Sequence, residues 1–203
     1  GAKMKEIFIP PQVLNIGEDS FADCRYLKTV IIPRDSELQV IGKYAFTQTK
    51  IEKIFIPPKL NELKSGWCSS TNNLKRIEVS PKNKDFVLKD NLLIRKSDRK
   101  SDNFDVLEFG SCDISTAKIP SSIKTISRNA FGRCKNMINV EFGENSELQS
   151  IEEYCFSESN IKKISIPSHV SCIGGGAFWS CCNLEIIDIP ENSELLSIKD
   201  YAF

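Results

Sequence analysis

The chain has 203 residues, of which 40% are apolar and 27% charged, a composition that predicts a folded protein rather than a disordered one. Its 27 basic residues are balanced by 27 acidic residues, and the pI is about 6.8. This balance argues against a surface for nucleic acid or anionic membrane, because such surfaces need a basic excess. No apolar run reaches the roughly 18 residues that would span a bilayer, and the N-terminal GAKMKEIFIP lacks the apolar segment of a secretory leader.

An Ile-Pro pair, or its equivalent, recurs along the chain and marks a repeat. Its steps are 23, 24, 23, 40, 23, 24 and 23 residues. The residue before the proline, or its counterpart, is in turn Ile9, Ile32, Ile56, Val79, Ile119, Phe142, Ile166 and Ile189. A second motif, close to Ile-Gly-x-x-Ala-Phe, runs in phase and ends at Phe21, Phe46, Phe131, Phe156, Phe178 and Phe203. About eight units of 23–24 residues are predicted to stack as a solenoid, because one such unit cannot bury its apolar face alone.

Each unit is predicted to contribute one strand to a parallel sheet. In the first unit, LKTVIIP places Val30 and Ile32 two residues apart, which is the strand period. Pro33 then ends the strand, because it has no N–H group for the ladder. A shorter apolar segment leads to a turn, and the phenylalanine after the turn is predicted to point inward. The expected architecture has a parallel β-sheet on one face and turns or short helical pieces on the other.

The single 40-residue step contains an insertion within residues 85–111. VLKDNLLI is typical of a strand, a turn at Asp90-Asn91 and a second strand, which predicts a β-hairpin excursion from the solenoid. The polar stretch from Lys96 to Asn103 is predicted to be a mobile tip. The hairpin-bearing unit covers about 77–118, and we expect it to lie within a single solenoid domain over 1–203.

The middle residue of each Ile-x-Ile strand is predicted to face out of the sheet. These residues are, in order, Phe8, Ile31, Phe55, Glu78, Lys118, Glu141, Ser165 and Asp188. The first three are apolar and aligned, and an exposed apolar strip is often an interaction site. The alternative is that another part of a longer protein, or a neighbouring molecule, covers this strip. The candidate partner-binding residues are Phe8, Ile31, Phe55, Glu78, Lys118 and Glu141.

Four of the eight cysteines occupy positions that the repeat reserves for small buried residues. Cys24, Cys134 and Cys181 follow the conserved spacing of the unit, and Cys155 takes the place of the alanine before phenylalanine. Since a free cysteine packs as a small hydrophobe, we interpret them as structural. A disulfide framework would require an oxidising compartment, with Cys112 as one candidate participant and Cys182 as another.

No motif predicts a metal, a cofactor or catalysis. Zinc needs paired ligands at suitable spacing, but the sequence has one adjacent pair, Cys181-Cys182, and one histidine, His169. His169 lies in a turn position and is predicted to be solvated, with no nucleophile and carboxylate converging on it. Gly174–Gly176 fills the turn that other units build from other residues, and lacks the phosphate-loop spacing. The sequence therefore predicts a protein that is not an enzyme.

The repeat resembles the BspA-like leucine-rich repeats. IPSHVSCIGGGAFWSCCNL, Ile166 to Leu184, matches their pattern I-P-x-x-V-x-x-I-G-x-x-A-F-x-x-C-x-x-L at nearly every fixed position, and the resemblance extends from about Lys5 to Phe203. It implies a leucine-rich-repeat solenoid. It also implies a place on the cell surface or in the secreted fraction of anaerobic bacteria or parasitic protists, with adhesion to host cells or matrix proteins.

Together these features predict a non-enzymatic protein-binding domain of a surface adhesin or antigen. The alternative is a structural spacer or recognition module within a larger intracellular protein. The chain stops at Phe203 within an eighth unit and neither end has a polar cap, so we expect a fragment of a longer array. Its open C-terminal edge is predicted to permit self-association with another copy.

Overall fold

The computed structural model describes all of residues 1–203 and divides into two compact units, residues 1–93 and 94–203. From here on, the first unit is residues 1–93 and the second unit is residues 94–203, and each contains several of the 23–24-residue repeats. Each is a β-solenoid of parallel sheets, with about eight turns in all and no helix. The predicted solenoid fold is therefore confirmed, whereas the short helical pieces are absent. That residues 1–203 form one continuous solenoid domain stays a prediction.

The first unit winds through two kinds of strand that alternate along the chain. In order, its strands are β1 (Glu6–Phe8), β2 (Asn15–Ile16), β3 (Thr29–Ile31), β4 (Val40–Ile41), β5 (Lys53–Ile56), β6 (Glu62–Leu63), β7 (Arg76–Val79) and β8 (Phe86–Lys89). Apart from β8, the longer ones form a four-stranded sheet in the order β1-β3-β5-β7, which we call the front sheet of this unit. The two-residue strands form a second sheet, β2-β4-β6, and every pairing in both sheets is parallel.

The predicted hairpin is confirmed and lies where the two units divide. It consists of β8 and β9 (Leu92–Arg95) around Asp90 and Asn91, whose φ angles are 50° and 64°. Two consecutive left-handed residues are the requirement of a tight hairpin turn that matches strand twist. Beyond β9, the carboxylate of Asp105 accepts hydrogen bonds from the N–H and the hydroxyl of Ser97, at 2.8 and 2.7 Å. These bonds hold the two ends of the polar stretch together, and its mobility stays a prediction.

The second unit repeats the two-sheet pattern. Its strands are β10 (Val106–Gly110), β11 (Thr116–Ile119), β12 (Thr125–Ile126), β13 (Asn139–Phe142), β14 (Ser150–Ile151), β15 (Lys163–Ser165), β16 (Cys172–Ile173), β17 (Ile186–Asp188) and β18 (Ser197–Ile198). The front sheet of this unit has the order β11-β13-β15-β17. The five-residue β10 and the two-residue strands stack in the order β10-β12-β14-β16-β18. Strand β17 is an edge of the first sheet and β18 an edge of the second.

The loops after the short strands stack on one another instead of forming helices. In the first loop the N–H groups of Asp19, Phe21 and Asp23 donate to carbonyls of the next turn, at 2.9–3.0 Å. The intervening Ala22 and Cys24 donate within the loop, to residues three positions earlier. This alternation requires left-handed backbone at two places, here Asp19 (φ 53°) and Asp23 (φ 57°). A helix would direct all these N–H groups along its own axis, so the inter-turn ladder excludes it.

The core consists of ladders of identical side chains. Phe131, Phe156 and Phe178 are buried and stacked, with ring centroids 5.4 and 5.3 Å apart. This confirms the inward position for Phe46, Phe131, Phe156 and Phe178, whereas Phe21 is half-buried and Phe203, in the last turn, is exposed. Gly110 lies beneath the first ring of this stack, where a Cβ would lie 1.8 Å from a ring carbon of Phe131. The stack therefore needs glycine at that position.

Candidate binding surface

The outward side chains of the first unit's front sheet form two rows. The strand register aligns the first row as Glu6, Thr29, Lys53 and Arg76. Two residues further along each strand, the second row is Phe8, Ile31, Phe55 and Glu78. Neighbouring strands lie about 4.8 Å apart, and residues i and i+2 of a strand about 6.7 Å apart. The two rows therefore form one continuous surface.

The apolar row, defined as Phe8, Ile31 and Phe55, is open to solvent as predicted. Phe8 is 53% exposed, Ile31 is 39% exposed, and Phe55 is half-buried. The guanidinium of Arg34 lies over the Phe55 ring, 5.6 Å from its centroid. The same guanidinium bonds the carboxylate of Glu78 at 2.8 Å, which neutralises the charged end of the row.

The middle of this sheet carries a depression with a volume of about 310 Å³. Ile31 and Phe55 line its apolar side, and Lys53 and Arg76 line its basic side. We call Lys53 and Arg76 the basic pair. They are exposed and occupy directly opposed positions on β5 and β7. A partner can therefore meet apolar and basic groups at the same place.

The basic pair has no carboxylate partner within the chain. Glu52, the residue before Lys53, is paired with Lys28 at 3.9 Å. Glu78, two residues after Arg76, is held by Arg34 at 2.8 Å. Two like charges directly opposite each other on a sheet destabilise it, so this pair is available to an anionic group.

The second unit's front sheet carries the other predicted residues and is polar. Lys118 lies opposite Glu141, and Ser165 lies opposite Asp188, with all four exposed. The six candidate residues thus divide between two sheets, four on the first unit and two on the second. The structure adds Arg34, Lys53 and Arg76 to the first group. The period of two along each strand also locates the basic pair, because it puts Lys53 on the same face as Phe55 and Arg76 on the same face as Glu78.

The prediction that four cysteines are free packing residues is confirmed for three of them and corrected for Cys134. Cys134 is buried as predicted but is not free, because it forms a disulfide with Cys112 across 22 residues, with the Cα atoms 4.4 Å apart. Cys24, Cys155 and Cys181 are buried free thiols. Burial raises the pKa of Cys155 well above its ordinary value and raises that of Cys181 as well. A thiol that stays protonated is a poor nucleophile, so these groups act as packing residues.

The remaining candidates have structural roles. His169 is exposed, as predicted, and its Nδ1 lies 2.9 Å from the Glu194 carboxylate. Gly176 has φ 61° and occupies the left-handed turn position that Tyr154 fills one turn earlier, which confirms the interpretation of the glycine run as a turn. No group of three or more metal-ligating side chains comes together. None of the elements is a helix long and apolar enough to cross a membrane.

Comparison with known sequences assigns the repeat to a family. The sequence model of the BspA type leucine rich repeat region matches residues 1–89 and 104–203, in six copies. No curated protein matches the chain. The unmatched residues, 90–103, contain the hairpin turn and the polar stretch.

Solved structures share the fold at low sequence identity. The pneumococcal vaccine antigen PcpA matches 99% of this chain with a TM-score of 0.78 and 20% identity. A leucine-rich repeat protein from Eubacterium ventriosum matches 92% with a TM-score of 0.74 and 24% identity. A leucine rich cell surface protein from Faecalibacterium prausnitzii matches 92% with a TM-score of 0.58 and 22% identity. The match spans 56%, 54% and 60% of the length of those chains, so this chain covers little more than half of each.

Proposed function

Because the chain belongs to the BspA type leucine-rich repeat family, we propose that it is a non-enzymatic protein-binding domain of a cell-surface adhesin or antigen. In this proposal it contacts host cells or matrix proteins. The observation that carries the proposal is the apolar row, since exposed aligned apolar side chains are a frequent mark of interaction sites. Glu78 would contact the partner at the end of that row, and Lys118 and Glu141 would contribute from the second unit.

Two further observations support a location outside the cell. The Cys112–Cys134 disulfide is a kind of cross-link that persists in oxidising compartments and is rare in the cytosol. One structural relative is a vaccine antigen and another a cell surface protein. The alternative, an intracellular spacer module, has no comparable observation in its favour.

The test is binding of the folded chain to a panel of host matrix proteins and to intact cells. A Phe8→Ala/Ile31→Ala/Phe55→Ala variant is measured beside it, after circular dichroism has checked its fold. Loss of binding in this variant supports the proposal. Full binding by the variant, or no binding by either protein, overturns it in favour of another surface or the spacer role. A Lys118→Ala/Glu141→Ala variant should lose less affinity, because these opposite charges face each other on neighbouring strands and already offset one another.

We also propose that the C-terminal edge binds a second copy of the chain. Strands β17 and β18 are sheet edges, and an unpaired edge is a template for another strand. Apolar side chains beside these edges are open to solvent, among them Ile187 and Ile198, and Leu196 is 88% exposed. Light scattering of the samples used for the binding panel should show mass increasing with concentration. A mass that stays that of the monomer at every concentration would contradict self-association. It would leave the adhesin proposal unaffected.

A further inference from the structure

We propose that the first unit's front sheet recognises an extended partner segment with an acidic residue two positions from an aromatic or aliphatic one. In this arrangement the carboxylate bridges Lys53 and Arg76, and the apolar side chain covers Phe55 and Ile31. The inference rests on the proposed function, because it assumes that this sheet binds a protein. It adds the chemical identity of the segment that is bound.

The electrostatic part of the argument begins with the register of β5 and β7. Lys53 and Arg76 face each other directly, at about 4.8 Å between strands. The nearest acidic residues along their strands are already paired, Glu52 with Lys28 and Glu78 with Arg34. A carboxylate from a partner would relieve the repulsion between the two cations, and charge-assisted hydrogen bonds are among the stronger polar contacts.

The spacing of the two rows sets the sequence pattern of the partner. The basic pair and the apolar row are separated by two residues along the strands, about 6.7 Å. Side chains i and i+2 of an extended segment lie on the same side at the same separation. An acidic residue therefore aligns with Lys53 and Arg76 when an apolar residue two positions away aligns with Phe55.

The depression favours a protein segment over an acidic polysaccharide. Its volume of about 310 Å³ is at the low end of the roughly 300–1,000 Å³ typical of ligand pockets. Ile31 and Phe55 belong to its apolar lining. The sugar rings of an acidic polysaccharide offer only C–H groups to cover them, which bury less apolar surface than an aromatic or aliphatic side chain. Arg34, the third cation nearby, is engaged by Glu78 and the Phe55 ring, so the surface offers one anion site rather than a basic track.

The test uses immobilised peptides with an Asp-Ser-Phe core, and biolayer interferometry with the full chain. We expect binding that weakens about tenfold or more when Asp is replaced by Asn, since a charge-assisted contact is lost. A peptide with Asp and Phe adjacent should also bind poorly, because the two side chains then point to opposite sides. Equal binding of all three peptides, no binding of any, or displacement of the Asp peptide by heparin at low concentration would overturn the inference.

Charge-reversal variants assign the contact to the basic pair. Lys53→Glu/Arg76→Glu should lose the Asp-Ser-Phe peptide. Lys82→Glu/Lys84→Glu is the matched control, because these lysines are exposed in the same unit and the change in net charge is identical. A partner from the protein panel could require the apolar row and yet bind the Lys53→Glu/Arg76→Glu variant normally. That result would contradict this inference but not the proposed function. If every partner binds the Phe8→Ala/Ile31→Ala/Phe55→Ala variant as well as the unaltered chain, the proposed function itself is contradicted.

Discussion

At the residue scale, phenylalanine has opposite roles on the strands and after the turns. Phe131 is 0% exposed and stacks on Phe156 at 5.4 Å, whereas Phe8 lies on the outer face of β1. The sequence distinguishes the two by position in the repeat, because the strand period sets the outer residue and the motif sets the inner one. Identical truncations at these two sites should therefore have unequal costs.

We predict that Phe131→Ala lowers the free energy of unfolding by about 3–5 kcal/mol, because a buried aromatic leaves a cavity. Phe8→Ala should change it by less than about 0.5 kcal/mol, as expected of an exposed site. Urea unfolding followed by circular dichroism measures both. Equal losses in the two variants would contradict the inside-outside assignment of the repeat.

At the element scale, the strands could be predicted from the sequence and the loop conformation could not. Alternation of apolar residues, as at Val30 and Ile32, reports directly on strand burial. The loops depend on left-handed backbone at residues such as Tyr44 and Tyr154, with φ of 54° and 55°. Tyrosine carries no signal for that conformation. The bonds between turns enforce it, and these exist only once the repeats have stacked.

Strand β10 contains a buried acid whose ionisation affects stability. Glu108 is buried and accepts a hydrogen bond from Arg95. Burial raises the pKa of Glu108, with the nearby charge of Arg95 opposing that shift. The folded state therefore holds this proton more tightly than the unfolded state. The stability from this group is fully present below the unfolded pKa and is lost as pH rises through the folded pKa.

We predict that Glu108→Gln removes this loss. As pH rises above the ordinary pKa of glutamate, the unfolding free energy of the unaltered protein should fall relative to that of the variant. The relative change is about 1.4 kcal/mol for each pH unit by which the folded pKa exceeds the unfolded one. Urea unfolding at a series of pH values gives the difference curve. If the difference in unfolding free energy between the two proteins does not change with pH, the prediction is wrong. A pH-independent contribution to that difference, in addition to its change with pH, would report only the altered hydrogen bond to Arg95.

At the scale of the whole molecule, the spacing of the repeat predicts the fold, but it predicts the candidate binding surface only in part. Repetition reveals what every turn shares, which is the core and the strand positions. The strand positions in turn predict the apolar row. Lys53 and Arg76 are not residues that the repeat shares from turn to turn. They lack a carboxylate partner partly because Glu78 is bound by Arg34, 44 residues away in the sequence. The sequence indicates Cys112 as a disulfide candidate but does not indicate Cys134 as its partner, because only the stacking of adjacent turns brings the two together.

One small position in each turn follows the buried phenylalanine by three residues. Its occupants in the second unit include Cys134, Ser159 and Cys181, whose N–H groups donate to Phe131, Phe156 and Phe178 respectively. Ser159 and Cys181 are both buried, with Oγ and Sγ 3.3 Å apart. They are separated by 22 residues, as are Cys112 and Cys134. Ser159 and Cys181 are therefore spaced along the chain as Cys112 and Cys134 are, but Ser159 has a hydroxyl where a disulfide needs a thiol.

We predict that Ser159→Cys forms a second disulfide with Cys181 under oxidising conditions. Closing a loop of this size should raise the free energy of unfolding by about 3 kcal/mol. Mass spectrometry of unreduced peptides identifies the new bond, and unfolding with and without reductant measures its effect. Ser159→Ala is the control, since it removes the hydroxyl without supplying a thiol. A variant that keeps two free thiols at 159 and 181 would show that adjacent turns lie further apart in solution than the inter-turn hydrogen bonds require.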